Sequence, residues 1–290
     1  MYKAIAANKR NTVLIMALFV IVIGAIGMLV AWIFEDWGIA IGMVGFALVY
    51  ALVQYFLASR LAIMMTGARK IEREENPRLY NIVENLAIAE GMPMPSVYVM
   101  DDMAPNAFAT GRNPEKAVVA ATTGLMNIMN DEELTAVMAH EMSHVKNYDI
   151  RVSMITFGLV CAIGLLSNIV GRMMIRGGNR REGGGALIAI GLVVWILSPI
   201  FAMIVQMAIS RQREYLADSS ASMMTRYPEG MISALAKLRD HGRPMKMQNS
   251  ATEAMFINNP LEKGFVSRLF STHPPLDKRI ERLQEMKGQF

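Results

Sequence analysis

Residues 140–144 read His-Glu-Met-Ser-His, two imidazoles four positions apart with a carboxylate beside the first. On an α-helix that spacing puts His140 and His144 on one face, one turn apart, where both can hold a single Zn²⁺ while Glu141 reaches a water at the metal. The chemistry implied is metal-assisted hydrolysis with Glu141 as the base. Three fixed residues in five arise by chance in roughly one chain in a few tens at this length, taking each type as about one residue in twenty, so the surroundings must carry the assignment.

Asn130 precedes Asp131, Glu132 and Glu133, the pattern of an N-cap, an acidic first turn and a capping glutamate at the third helical position. Leu134, Val137, Met138, Met142 and Val145 then recur at helical spacing. A helix would equally suit a plain charged stripe, so the third ligand decides between the two. The chain has four histidines, His140, His144, His241 and His273, and the position six after His144 is Ile150, which excludes the three-histidine metzincin arrangement. A carboxylate is expected instead. Glu214 and Asp218 lie four apart in Ser-Arg-Gln-Arg-Glu-Tyr-Leu-Ala-Asp, and the small Ala217 between them permits close helix packing. Glu214 can ligate through oxygen, and Asp218 can accept the free N–H of a ligating imidazole. For an isolated pair the better reading is a salt-bridged helix with Arg211 and Arg213; in the same chain as the histidine motif, the ligand reading prevails.

The histidine and carboxylate motifs sit on a scaffold that is partly membrane-like. Thr12–Phe34, Trp37–Ala58, Val152–Gly171 and Ala186–Ile209 carry no charge, and each is about 20 residues or more, enough for a hydrocarbon layer of roughly 30 Å. The expected fold is an α-helical membrane protein with four candidate transmembrane helices and an α+β zincin-like catalytic domain. Its parts are a transmembrane hairpin over 1–58, a first catalytic segment over 59–151, a second hairpin over 152–209 and a second catalytic segment over 210–290. The first stretch is too long for a signal-peptide core and is expected to be retained. Lys3, Lys9 and Arg10 precede it, only Glu35 and Asp36 follow it, and Arg60, Arg69 and Lys70 come after the second, which puts the catalytic segments in the cytoplasm. Arg172, Arg176, Arg180 and Arg181 between the third and fourth stretches have the wrong sign for an external loop.

The net charge of +4 reflects membrane-flanking basic residues rather than a nucleic-acid partner. The single cysteine, Cys161, excludes an intrachain disulfide, and its apolar setting argues against a catalytic thiol. In the first catalytic segment, Asn76-Pro77 opens a helix ending at Gly91, and Ser96–Met100 and Lys116–Ala121 read as strands. In the second, Pro228 and Pro275 open helices, and His241 reads as a helix-end residue.

His-Glu-Met-Ser-His-Val-Lys-Asn-Tyr-Asp, Ser-Arg-Gln-Arg-Glu-Tyr-Leu-Ala-Asp-Ser-Ser-Ala and Ser-Thr-His-Pro-Pro-Leu-Asp-Lys-Arg together resemble the HtpX family of membrane zinc metalloproteases, relatives of the CAAX-prenyl endopeptidases within the gluzincin class. The likeness in motif order and hydrophobic layout covers essentially the whole chain. It implies a multi-pass cell-membrane endopeptidase of protein quality control, with a cytoplasmic catalytic face, one zinc ion per chain and protein substrates drawn from the membrane. Its ligands would be His140, His144 and Glu214 and its base Glu141, which are also the assignments made from the residues themselves. It further implies that Asn106, Ala107 and Phe108 form the edge to which an extended substrate adds as a strand. His273, held by Pro274 and Pro275, and Arg279 one turn later would approach the oxyanion at the scissile carbonyl. Two rival classes remain: a membrane scaffold with a relict metal site, and an intramembrane protease. The second is disfavoured because Asp131–Glu133, Lys146 and Asp149 would be costly in lipid.

Overall fold

A computed structural model describes residues 2–177, 191, 192, 195, 211–247, 252, 255–259 and 274–286. The chain divides into two compact units, one of residues 1–9, 59–154 and 209–290, the other of residues 10–58 and 155–208.

The second unit is helical where it is described. α1 (Tyr2–Phe34) and α2 (Trp37–Thr66) are both long and apolar enough to cross a membrane. They meet through small residues: a Cβ on Gly27 would lie 3.0 Å from the Met43 Cβ, and one on Gly24 would lie 3.2 Å from Val44. Close approach of this kind drives helix association where no water is available to be released. α6 (Asp149–Gly177) contains the third apolar stretch. Inside the unit, the Tyr50 hydroxyl donates to the Gly158 carbonyl at 2.9 Å and accepts from the Gln54 amide at 2.8 Å. The fourth stretch lies outside the described residues except at 191, 192 and 195, so the structure bears on two of the four expected spans by length and composition.

The first unit holds a four-stranded sheet and the helices that cover it. β1 (Arg69–Lys70), β2 (Ser96–Met100), β3 (Ala107–Thr110) and β4 (Val118–Thr122) run in the order β1-β2-β4-β3, with β2 and β4 parallel and both outer pairings antiparallel. β4 starts two residues later than the sequence pattern suggests and runs directly into α4 (Thr123–Ile128). Pro114–Lys116 forms a 3₁₀ turn closed by the Ala117 N–H on the Pro114 carbonyl, which delays the extended backbone.

α3 (Pro77–Ala89) begins as expected, with the Asn76 side chain accepting from the Leu79 N–H at 3.0 Å and Pro77 in the first turn, where no N–H is missed. α5 (Asp131–Lys146) carries the complete capping box: the Asn130 side chain accepts from the Glu133 N–H, and Glu133 accepts from the Asn130 N–H. Glu133 also receives Ser233 and Lys237 at 2.7 Å each, tying this end to α8 (Pro228–His241). α5 is buried around most of its circumference, packed by α3, by β3 and β4, by α7 (Arg211–Thr225) and by α8. Leu79 and Val83 of α3, Leu134, Met138 and Met142 of α5 and Leu235 of α8 belong to one core, each contributing on the order of 1.5–3 kcal/mol by burial. A helix embedded this deeply gives its side chains little freedom. α9 (Leu276–Met286) packs on α8 and α7 and brings the fully buried Arg279.

Candidate metal centre

His140 and His144 project from the third and fourth turns of α5, and Glu214 from the first turn of α7. Ala217 and Ala221 on α7 are buried, so small side chains let the two helices close on one another. The His140 and His144 Nε2 atoms lie 3.2 Å apart, and the Glu214 oxygens lie 3.7 Å from the first and 3.5 Å from the second. Ligand atoms from the three residues all fall within 4.8 Å of one another.

The partners of the opposite ring nitrogens decide what this triangle can hold. His140 Nδ1 lies 2.9 Å from Asp218, and His144 Nδ1 lies 3.0 Å from Asp149, so each ring N–H is taken by a carboxylate and each Nε2 is left with its lone pair. Two lone pairs and a carboxylate then converge on one point, an arrangement that is favourable only around a cation. Two nitrogens about 2.05 Å from a tetrahedral ion would stand about 3.3 Å apart, which matches the pair found here. The donor set fits zinc.

Electrostatics divide the two imidazoles. Burial dominates at His140 and pushes its pKa down to about 4, against the pull of Asp218, so that ring is neutral as a ligand must be. At His144 burial pushes down as well, but the hydrogen bond its ring donates to Asp149 and the charge of Glu214 outweigh it and lift the pKa to about 9. Without a metal the second ring carries a proton that a metal displaces on binding. Glu141 is 2% exposed, and burial raises it to about 7 even though His144, Arg279 and the Ala109 backbone N–H favour its anion. A carboxyl poised there can both accept and release a proton near neutrality. It lines a cleft with Ala109, Ser153, Met255 and Ile257 beside the three candidate ligands.

Arg279, which the resemblance assigns to the oxyanion, is bound to a carboxylate. Its guanidinium grips Asp218 through two bonds of 2.8 and 2.6 Å, is fully buried and lies 3.9 Å from Glu214. Burial would raise the Asp218 carboxyl, but Arg279 overrides it and holds the pKa below the ordinary range. Asp218, which already accepts from His140 Nδ1, is a buried carboxylate that a fork-shaped donor can satisfy through both oxygens. His273 lies outside the described residues. His241 is exposed in the last turn of α8, as a helix-end residue.

Asn106, Ala107 and Phe108 lie at the outer strand of the sheet, but all three are buried. The far side of β3 is already paired: Ile257 N–H donates to the Ala107 carbonyl at 3.0 Å, Phe108 bridges Phe256, and the Asn106 side chain both donates to and accepts from the Asn258 backbone. Sequence reading missed this segment, and it missed Asp149, which it counted only as one of the charges flanking the motif. The signal for Asp149 was present: a second ligating imidazole needs an acceptor as much as the first.

Comparison with known proteins gives the family. Residues 73–287 match the profile of Peptidase family M48. The chain is 55% identical over 291 residues to a Protease HtpX homolog of Tropheryma whipplei, covering 100% of both, and 47% identical over 301 residues to one of Limosilactobacillus fermentum, covering 99% of this chain and 100% of the relative. Its fold is similar to the crystal structure of S. mikatae Ste24p, with a TM-score of 0.50, 18% identity, and coverage of 98% of this chain and 66% of that one. By its match over most of its length and its identity to full-length relatives, the chain belongs to peptidase family M48 and is a membrane metalloprotease similar throughout to the HtpX homologs.

Proposed function

We propose that the protein is a multi-pass, zinc-dependent endopeptidase that cleaves misfolded or damaged membrane proteins from the cytoplasmic side. The observation that carries the reading is the convergence of His140, His144 and Glu214 beside Glu141, with both outer imidazole nitrogens committed to carboxylates. His140, His144 and Glu214 would hold the ion. Bound there, zinc supplies a Lewis acid that polarises a peptide carbonyl and acidifies water. Glu141 takes a proton from the water as it adds to the carbonyl carbon, then delivers that proton to the departing amine nitrogen as the C–N bond breaks. The buried setting of Glu141 suits both halves of that transfer.

The substrate would lie along the outer side of β3 as an added strand, in the place Phe256 and Ile257 occupy. Support for this comes from the Ala107 carbonyl, which already accepts the Ile257 N–H from a segment bridged to β3 in that position. Arg279 acts through Asp218 by fixing the tautomer and tilt of His140, while His273 is left as the candidate donor to the oxyanion. The cytoplasmic assignment rests on Lys3, Lys9 and Arg10 before α1 and on the acidic Glu35–Asp36 turn after it.

The direct test uses detergent-solubilised full-length protein and an unfolded protein substrate. Cleavage should vanish with a chelator and return with zinc, metal content should approach one per chain, and Glu214→Ala should lose it. A chelator-indifferent activity, or a Glu214→Ala variant that stays fully loaded, would sink the assignment; metal without cleavage of any unfolded protein would leave the scaffold reading standing. Reporter fusions at Asn113 and Lys246 should both report the cytoplasm.

A further inference from the structure

Asp149, the acceptor for His144, lies at the corner where α5 hands over to α6, and such a carboxylate could turn to solvent unless held. It is held by a residue from the far end of the sequence. Asn8, only 4% exposed, donates its amide to the second Asp149 oxygen at 2.6 Å and to the Asn147 carbonyl at 2.9 Å. The Asn8 side-chain oxygen accepts from Arg213 at 3.4 Å, and the same Arg213 nitrogen stands 3.7 Å from Asp149. The orientation of this amide is dictated by chemistry: reversed, its oxygen would face a carboxylate and a carbonyl, and its NH₂ would face a guanidinium. Lys9 adds a contact at the same corner, its ammonium 4.9 Å from the centre of the Tyr148 ring.

We propose that Asn8 is a positioning residue of the metal centre, which keeps the Asp149 carboxylate on His144 Nδ1 and so aims His144 Nε2 at the ion. The inference rests on the reading of His144 as a ligand. Arg213 is the residue next to Glu214, so the same hydrogen-bonded group also touches the chain that carries the third ligand. Asn8 belongs to α1, the first apolar helix, within the part of that helix that folds with the catalytic unit. The centre is therefore assembled from the N-terminal helix as well as from α5 and α7.

The test measures zinc retention rather than activity. Full-length protein in detergent, loaded with zinc, is challenged with a competing chelator, and unfolding of the metal-free form is followed separately. Asn8→Ala should lose zinc about 10–100-fold more readily, the scale for removing an outer partner of a ligand. Asp149→Asn should do likewise, and the double variant should be little worse than either single, because both act through one contact. Lys9→Ala, which removes only the ring contact, should retain zinc like the parent. If Asn8→Ala lowers the unfolding temperature of the metal-free protein but leaves zinc retention unchanged, or if the double variant shows additive losses, Asn8 is only an anchor for the helix and the proposal fails. Should Asn8→Ala not fold, Asn8→Asp puts a carboxylate in the same volume against Asp149 and must weaken retention at least as much; parental retention there overturns the proposal too. Failure of the underlying reading looks different: His144→Ala would then keep its zinc.

Discussion

His140 and His144 are the same residue type one turn apart on one helix, yet they are backed in opposite ways. His140 is 1% exposed, and behind it Asp218 and Arg279 form a dry, bidentate pair at 2% and 0% exposure. His144 has a side chain 15% exposed, and behind it Asp149 is shared with an asparagine amide and only distantly approached by Arg213. One imidazole is fixed by a full ion pair, the other by neutral and long-range partners. The pKa values follow the same division, about 4 for the first and about 9 for the second. Rigidity at a metal centre need not be symmetrical: one ligand can be locked while its neighbour, nearer the surface, is aimed by a replaceable network.

Four substitutions bear on that contrast. Glu141→Gln sets the ceiling, since it removes the base and neither backing; turnover should fall by roughly 10²–10⁴ while zinc stays bound. Metal analysis beside kinetics checks it, and near-normal turnover would remove Glu141 from its role. Arg279→Met should come next, because it strands the buried Asp218 charge: a loss on the order of 3–5 kcal/mol in stability, with zinc released about 10–100-fold more readily. Thermal unfolding and chelator challenge measure the two effects. Ile257→Pro removes the N–H that Ala107 accepts, and if substrate takes that edge, cleavage of a short peptide should rise a few-fold; a fall would show that Ile257 serves the site rather than obstructing it. Arg213→Met should cost least, about 1 kcal/mol, since Arg213 stands 3.7 Å from Asp149 and 3.4 Å from Asn8, at the far limit of hydrogen-bond range. If Arg213→Met cost as much as Arg279→Met, the asymmetry between the two backings would be wrong.

What the sequence makes legible here is what is local. The α5 capping box, the one-turn spacing of the histidines and the four-residue step from Glu214 to Asp218 are all written within a few positions of one another, because helical geometry converts spacing directly into a shared face. The Asn8–Asp149 contact spans 141 positions, and nothing in either neighbourhood names the other. Arg279 was visible as a basic residue after a proline-rich turn, but which buried carboxylate it meets depends on how α9 packs against α7. Phe256 and Ile257 escaped notice because a segment with a single bridge has no periodicity to detect. The apolar stretches show the same limit from the other direction: their length is obvious in the sequence, while the glycines that bring α1 and α2 together declare their purpose only once Val44 and Met43 are seen against them.

An edge whose Ala107 carbonyl is met by the Ile257 N–H would select a visitor by its backbone. A carbonyl aimed outward from a strand asks a visitor for a main-chain donor, and every residue except proline has one. Identity of the side chain is then secondary; what matters is whether the donor is spoken for. In a folded protein more than nine in ten buried donors already are, whereas in a collapsed or unravelled segment they are free. A protease that recognises its target in this way discriminates by the state of the visitor's backbone rather than by its spelling, so one shallow groove can serve many unrelated sequences and still spare the same sequences once they are properly folded.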